Sequence, residues 1–151
     1  MREIHFRLAT PADLDLLVGF MRQFYALDQY PFDEPIARAA LHTLIEEPSL
    51  GRLWIMSTHE AIGYIALTFG YSLEYHGRDA MIDELFLKAP YRHQGIGTQT
   101  LHFVAEQCRG LGIHALHLEV EHTNEAGLIL YRKMGFEPHD QRYLMTRWIE
   151  Q

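Results

Sequence analysis

The sequence predicts a single α/β domain over residues 1–151, in which a mixed, mostly antiparallel sheet carries helices on both faces. The chain has 151 residues and is 48% hydrophobic, so one core can form without disulfides or a structural metal. Strand and helix patterns also alternate along the chain. A helical segment separates the strand patterns at residues 80–88 and 113–121, and a helical crossover makes two strands parallel.

The N-terminal half predicts one strand, two helices and an antiparallel meander. Residues 3–8 alternate between apolar and polar side chains and indicate a strand. Thr10 and Pro11 begin the first helix, because threonine caps helices and proline suits the first helical position. A second helix is predicted over residues 34–47. Strands are then predicted at residues 52–57, 62–71 and 80–88.

The C-terminal half predicts two helices and two strands. A helix over residues 95–110 leads to a strand at residues 113–121. A short helix over residues 124–134 ends at Gly135, because glycine commonly terminates helices. Residues 142–149 predict a last strand.

Charge and cysteine content restrict the location and the partners. The net charge is −7, which argues against a general nucleic-acid binder because such a protein needs a basic face. The single cysteine, Cys108, fits a reducing compartment. The N-terminus does not resemble a secretory signal, and no apolar run is long enough to span a bilayer. We therefore expect a soluble cytoplasmic protein with neither nucleic-acid nor membrane partners.

The loop after the strand at residues 80–88 suits a pyrophosphate. It contains the segment Arg92-His93-Gln94-Gly95-Ile96-Gly97 at the start of a predicted helix. The N–H groups and the dipole of a helix N-terminus favour anions, and glycines let a phosphate approach the backbone closely. A dinucleotide-binding fold would need a third glycine where Thr100 stands, and the lysine of a triphosphate-binding loop is absent.

This segment resembles the Arg/Gln-x-x-Gly-x-Gly/Ala motif of the GCN5-related N-acetyltransferase (GNAT) family. The later parts of the chain agree in order and spacing, namely Leu116-His117-Leu118-Glu119-Val120, Asn124, Ala126, Leu130-Tyr131 and Lys133-Met134-Gly135-Phe136. The resemblance covers essentially the whole chain and is sharpest over residues 82–136. Residues 63–87 are also loosely similar to spermidine/spermine acetyltransferases.

The resemblance implies an acetyl-CoA-dependent N-acetyltransferase in which two central parallel strands splay apart. The pantetheine arm of acetyl-CoA would pair with a strand backbone, and the pyrophosphate would lie on the loop N–H groups. The residues expected to bind the cofactor are Leu85, Phe86, Leu87, Arg92, His93, Gln94, Gly95, Ile96, Gly97 and Asn124.

Acetyl transfer to an amine requires a proton donor for the leaving thiolate and a proton acceptor for the amine. Tyr131 matches the usual general acid of the family. Three carboxylates compete as the base. Glu119 resembles the base position of ribosomal-protein N-terminal acetyltransferases, whereas Asp83 replaces a strand glutamate of spermidine/spermine acetyltransferases and has Glu84 as its neighbour. Deprotonation through water, without a single base, stays open.

The acceptor is expected to be a small-molecule amine such as a polyamine, amino acid or aminoglycoside-like compound. Residues 25–34 and the meander supply aromatic and acidic candidates for its binding, and aromatic faces attract cations. The substrate-binding candidates are Tyr30, Phe32 and Tyr71. Two alternatives stay open, a protein N-terminal or lysine acetyltransferase and a non-catalytic CoA-binding sensor. Because family members often form dimers, a homodimer is also expected.

A metal site is not predicted. His117, Glu119 and Glu121 share one strand face by alternation. They lack an accompanying His-x-x-x-His or Cys-x-x-Cys pair.

Overall fold

The computed structural model describes residues 2–151, which form two compact units. The first unit ends at Glu119 and the second comprises Val120–Gln151. The first contains β1 His5–Leu8, α1 Leu14–Leu27, α2 Glu34–Glu46, β2 Gly51–Ser57, β3 Ala61–Ser72, β4 Gly77–Leu87, α3 Ile96–Gly110 and β5 Ala115–Leu118. Short 3-10 turns at Pro11–Asp13 and Ala89–Tyr91 precede α1 and α3. The second unit contains α4 Glu125–Lys133.

The five strands form one mixed sheet in the order β1-β2-β3-β4-β5. The first four strands are antiparallel, and β5 is parallel to β4. This topology confirms the predicted fold class and the parallel pair joined by a helical crossover. The pair lies at one edge of the described sheet and not at its centre, because β5 has a single neighbour.

One face of the sheet packs against α1 and α2. Leu17 and Phe20 of α1 and Leu41 of α2 are buried against Tyr64 and Phe86 of the sheet. Asp33 caps α2 by accepting a hydrogen bond from the backbone N–H of Ile36 at 3.1 Å. The capped, amphipathic helices thus cover the sheet as their apolar spacing predicts.

The opposite face packs against α3. Phe103 stacks on Phe6 of β1 with ring centroids 4.1 Å apart and meets Trp54 of β2 edge-on at 5.2 Å. Thr100 is fully buried here, and its hydroxyl donates to the carbonyl oxygen of Ile96 at 2.8 Å. That internal hydrogen bond explains how a polar side chain fits where a dinucleotide-binding helix would have glycine.

The predicted strand at residues 142–149 is wrong, because these residues form neither a helix nor a strand. A strand alternates one buried with one exposed face. In the tail, however, Tyr143 is 92% and Trp148 is 90% exposed, so burial gives no reason for regular pairing. Within residues 2–151, no helix combines the length and the apolar character needed to cross a membrane.

Candidate active site

The sheet opens halfway along β4. Asp79 pairs with Ala115 at one end of the contact between β4 and β5, and Ile82 pairs with Leu118 at the other end. The strand β4, however, continues to Leu87. Among the described strands, none pairs with residues 83–87 on the side away from β3. We call this side of residues 83–87 the open edge.

The β3–β4 register shows which backbone groups point to the open edge. The N–H of Lys88 donates to the carbonyl of Ile62 at 2.8 Å, so these two residues are a hydrogen-bonded pair. Hydrogen-bonded and non-hydrogen-bonded pairs alternate in antiparallel sheets, which directs the polar groups of Leu85 and Leu87 away from β3. The carbonyl of Leu87 accordingly accepts a hydrogen bond from Nε of Arg92 at 2.8 Å. Phe86 faces β3 with its backbone, and its side chain is buried.

A β-bulge at Asp83 sets the direction of the next side chain. Leu67 pairs with Ile82 and Ala66 pairs with Glu84, so Asp83 is an extra residue in β4. Because of this extra residue, Ile82 and Glu84 lie on opposite faces of the sheet although they are two residues apart. Glu84 therefore faces α1.

Glu84 accepts hydrogen bonds from two tyrosines. The hydroxyl of Tyr64 donates to Oε1 at 2.8 Å, and the hydroxyl of Tyr25 donates to Oε2. Burial raises the pKa of Glu84; the two hydroxyls act in the opposite direction, and the charge of Asp83 adds to the rise. A raised pKa makes the carboxylate a stronger proton acceptor.

Asp83 and Glu119 have different surroundings from Glu84. The Asp83 side chain is exposed, although nearby protein displaces enough water to raise its pKa. Glu119 is exposed and lies one residue beyond the end of β5. Of the three predicted bases, Glu84 is thus the one held by tyrosine hydroxyls.

The predicted phosphate loop contains left-handed backbone at His93, with φ 60°, and at Gly95, with φ 80°. Gly95 is the residue before α3, so the loop ends at a helix N-terminus as predicted. His93, Gln94 and Gly95 are exposed, whereas the Ile96 side chain belongs to the core and Gly97 is half-buried. The exposed backbone of this loop fits an anion.

Contacts with the β2–β3 turn hold the loop in place. The buried Tyr91 donates its hydroxyl proton to Oε1 of Glu60 at 2.8 Å, and Nζ of Lys88 lies 3.8 Å from Oε2 of the same residue. Gln94 donates to the carbonyl of Pro90 at 2.6 Å. The residues before Arg92 are therefore attached to the β2–β3 turn, and Gln94 closes the loop on itself.

The aromatic candidates lie in two different places. Tyr30 and Phe32 pack edge-on against Tyr25, with centroids 6.4 and 5.9 Å apart. The guanidinium of Arg22 lies 5.3 Å from the centre of the Phe32 ring. Tyr71 is 75% exposed and lies, by alternation along β3, on the opposite face from Ala66 and hence from Glu84. The structure does not bring Tyr71 to the other two.

The second unit carries the remaining two predicted residues. Asn124 caps α4, and its Oδ1 accepts a hydrogen bond from the N–H of Gly127 at 3.0 Å. Tyr131 lies in α4 and packs edge-on against Phe136, with centroids 6.0 Å apart. Burial raises the pKa of Tyr131, so its hydroxyl stays protonated at neutral pH and available as a donor.

Sequence reasoning missed the hydrogen-bonding role of Tyr25 and Tyr64. The sequence places Tyr25 at the start of the lining segment and Tyr64 in a predicted strand, but it does not indicate their contacts. They could have been found by placing one bulge in the predicted pairing of β3 with β4, because that bulge determines which face of the sheet Glu84 occupies. Within residues 2–151, no group of three His, Cys, Asp or Glu residues is placed to hold a metal ion.

The sheet thus opens beside a loop that ends at a helix N-terminus, with the half-buried carboxylate of Glu84 at the opening. A family model described as "Acetyltransferase (GNAT) family" matches residues 17–136, and the chain belongs to this family. This finding confirms the predicted family.

Two curated relatives and one solved structure show how similar the chain is to known members. It is 34% identical over 74 residues to thialysine N-ε-acetyltransferase from Bos taurus, covering 49% of this chain and 43% of that one. It is 27% identical over 115 residues to a candidate ribosomal protein bS18-alanine N-acetyltransferase from Bacillus subtilis (strain 168), covering 76% and 72%. An integron cassette protein from the mobile metagenome of Cole Harbour Salt Marsh is 31% identical, with a TM-score of 0.84 and coverage of 97% and 91%. The chain thus spans less than half the length of the bovine relative.

Proposed function

We propose that this chain is an acetyl-CoA-dependent N-acetyltransferase that acetylates a primary amine of a small molecule directly. The observation that carries the proposal is the open edge of β4, which begins beside the half-buried carboxylate of Glu84 and leads to the loop at the start of α3. It offers strand backbone, an anion site and a proton acceptor on adjacent segments of one strand–loop–helix unit.

The residues along this unit fit an extended donor that ends in phosphates. The backbone of Leu85 and Leu87 would pair with the amide groups of a pantetheine arm, as an added strand does. The N–H groups around Gly95 would hold the pyrophosphate, and Asn124 would contact the arm. When bound, acetyl-CoA supplies the activated acetyl group as a thioester.

Glu84 is the base in this proposal. An amine is mostly protonated at neutral pH and must lose a proton before it attacks. Glu84 is half-buried, has a raised pKa and adjoins the open edge, whereas Glu119 and Asp83 are exposed. It would take the proton from the substrate ammonium directly or through one water molecule.

Tyr131 is the acid in this proposal. Its hydroxyl stays protonated at neutral pH, because burial raises its pKa. It would donate a proton to the sulfur that leaves as the acetyl group moves. Glu84 would take the proton that the ammonium loses before attack, and the second proton that the nitrogen loses on forming the amide would balance the one that Tyr131 gives to the thiolate.

A small cationic amine is the acceptor that the surroundings of Glu84 favour. Asp83 and Glu84 provide negative charge, and Tyr25, Tyr30 and Phe32 provide aromatic surface on the α1 side. The similarity to a protein named for acetylation of thialysine, an amine-bearing amino acid, supports the same class.

The test is release of free thiol from acetyl-CoA by the purified protein across polyamines, amino acids, aminoglycosides and short peptides. We expect release with one class of small amine and its loss in Glu84→Gln and Tyr131→Phe. Absence of both thiol release and acetyl-CoA binding, measured by calorimetry, would overturn the proposal. Binding without release for any amine would favour the non-catalytic CoA-binding alternative.

A second candidate is acetylation of a protein N-terminus. It is supported by the 27% identity to a relative whose name specifies the alanine of ribosomal protein bS18. In the same panel, turnover of peptides with a free N-terminal alanine, without turnover of free amines, would establish this candidate instead.

A further inference from the structure

Both oxygens of the Glu84 carboxylate are held by tyrosine hydroxyls from different elements. Tyr64 of β3 donates to Oε1 at 2.8 Å, and Tyr25 of α1 donates to Oε2. The two donors fix the plane of the carboxylate. The titratable groups that face Glu84 are thus these two neutral hydroxyls and the neighbouring carboxylate of Asp83 on β4.

The two tyrosines differ in what holds them. Tyr64 is fully buried among Phe20, Phe24 and Phe86, and its ring centroid lies 6.1–6.5 Å from theirs. Tyr25 is half-buried near the end of α1. Its ring packs against Tyr30 and Phe32, which belong to the connection between α1 and α2. Tyr64 therefore belongs to the rigid core, while Tyr25 joins Glu84 to the α1–α2 connection.

We propose that Tyr25 is a positioning residue, which orients the Glu84 carboxylate toward its role as base and keeps it ionised. The inference rests on the proposed function, because it assigns Tyr25 a task only through Glu84. A hydroxyl that donates to an ionised carboxylate stabilises the charged form. Burial, which has the largest influence, and the charge of Asp83 act in the opposite direction, so the hydroxyls lower the pH at which Glu84 becomes available as a base.

The direction of the effect follows from this balance. Removing the Tyr25 hydroxyl takes away a bond that favours the ionised carboxylate, so the pKa of Glu84 rises. Only the ionised form of Glu84 accepts the proton. As the pH is lowered, the variant therefore loses activity at a higher pH than the wild type does. A single charge-assisted hydrogen bond corresponds to a shift of about one pH unit.

The experiment uses Tyr25→Phe, which keeps the ring and its packing but removes the hydroxyl. Tyr64→Phe removes the other donor, and Tyr143→Phe removes a hydroxyl from the exposed tail as a control. Carbon-13 NMR of the glutamate carboxyls, assigned with Glu84→Gln, follows the Glu84 titration in the protein without acetyl-CoA. The pH profile of kcat/KM follows the same group in turnover, and thermal melts establish that each variant is folded.

We expect Tyr25→Phe to move both the Glu84 titration and the acidic limb of the rate profile upward by about one pH unit. Tyr143→Phe should move neither. An unchanged Glu84 titration in folded Tyr25→Phe would overturn the inference. If Tyr25→Phe shifts the titration of Glu84 but not the pH profile of kcat/KM, then Tyr25 positions Glu84 but Glu84 is not the base.

Discussion

The two halves of β4 differ in the number of strands that pair with them. Residues 79–82 pair with β3 on one side and β5 on the other, whereas residues 83–87 pair with β3 alone. Polar side chains in the doubly paired half contact each other, as Asp79 and His117 do at 3.1 Å. In the singly paired half, Glu84 is held by tyrosines beside exposed backbone. Under the proposed function, the first half serves stability and the second serves chemistry.

The largest expected effect lies in the singly paired half. Glu84→Gln keeps the shape of the side chain and one acceptor oxygen for a tyrosine hydroxyl, but it replaces the other oxygen with a donor NH2 group and removes the basic carboxylate. We expect kcat to fall by about 10²- to 10⁴-fold, because general-base catalysis contributes that much, while the melting temperature stays close to the wild type. The exposed Glu106→Gln is the matched control. If Glu119→Gln lost activity and Glu84→Gln kept it, the base would have to be reassigned.

The next effect concerns the close approach of β3 and β4 at the end of the open edge. A Cβ added at Gly63 would lie 2.1 Å from the carbonyl oxygen of Phe86, so Gly63→Ala forces the backbone to move. We expect a loss of about 2–4 kcal/mol in the free energy of unfolding, measured by urea denaturation. Gly19→Ala is the control, because nothing lies within 4 Å of its added Cβ and alanine favours helix by about 1 kcal/mol. Equal stability of the two variants would contradict the expected tight contact.

A smaller effect is expected in the doubly paired half. Asp79 and His117 are both largely shielded from solvent, and their contact joins β4 to β5. A double-mutant cycle with Asp79→Ala and His117→Ala should give a coupling of about 0.5–1 kcal/mol in the free energy of unfolding. Turnover per folded molecule should change little. A loss of turnover as large as that of Glu84→Gln would remove the distinction between the two halves.

The smallest effect is expected where the open edge leads into the phosphate loop. Tyr91→Phe removes the hydrogen bond to Glu60 while keeping the buried ring. We expect KM for acetyl-CoA to rise by about two- to fivefold with kcat unchanged, since one hydrogen bond that orients the loop is lost. An unchanged KM would show that the loop keeps its conformation without this contact.

Local patterns predicted most of the elements but not their contacts. The apolar spacing of α1 and α3 and the glycines before α3 are visible in short windows of sequence. By contrast, Tyr25 and Glu84 are 59 residues apart, and Tyr64 and Glu84 are 20 apart. No local pattern reports such pairings. The tail shows the reverse limitation, because the strand predicted at residues 142–149 has no buried side.

The bulge at Asp83 changes the phase of β4. Because side chains alternate with a period of two, one extra residue exchanges inside and outside for everything that follows it. If β4 kept all its residues but paired without the bulge, Glu84 would lie on the same face as Ile82 and away from its tyrosines. An alignment that ignores the bulge would therefore match Glu84 to a position on the wrong face of the sheet. Comparisons of this strand between relatives should count residues backwards from Leu87, because counting forwards from Gly77 crosses the bulge.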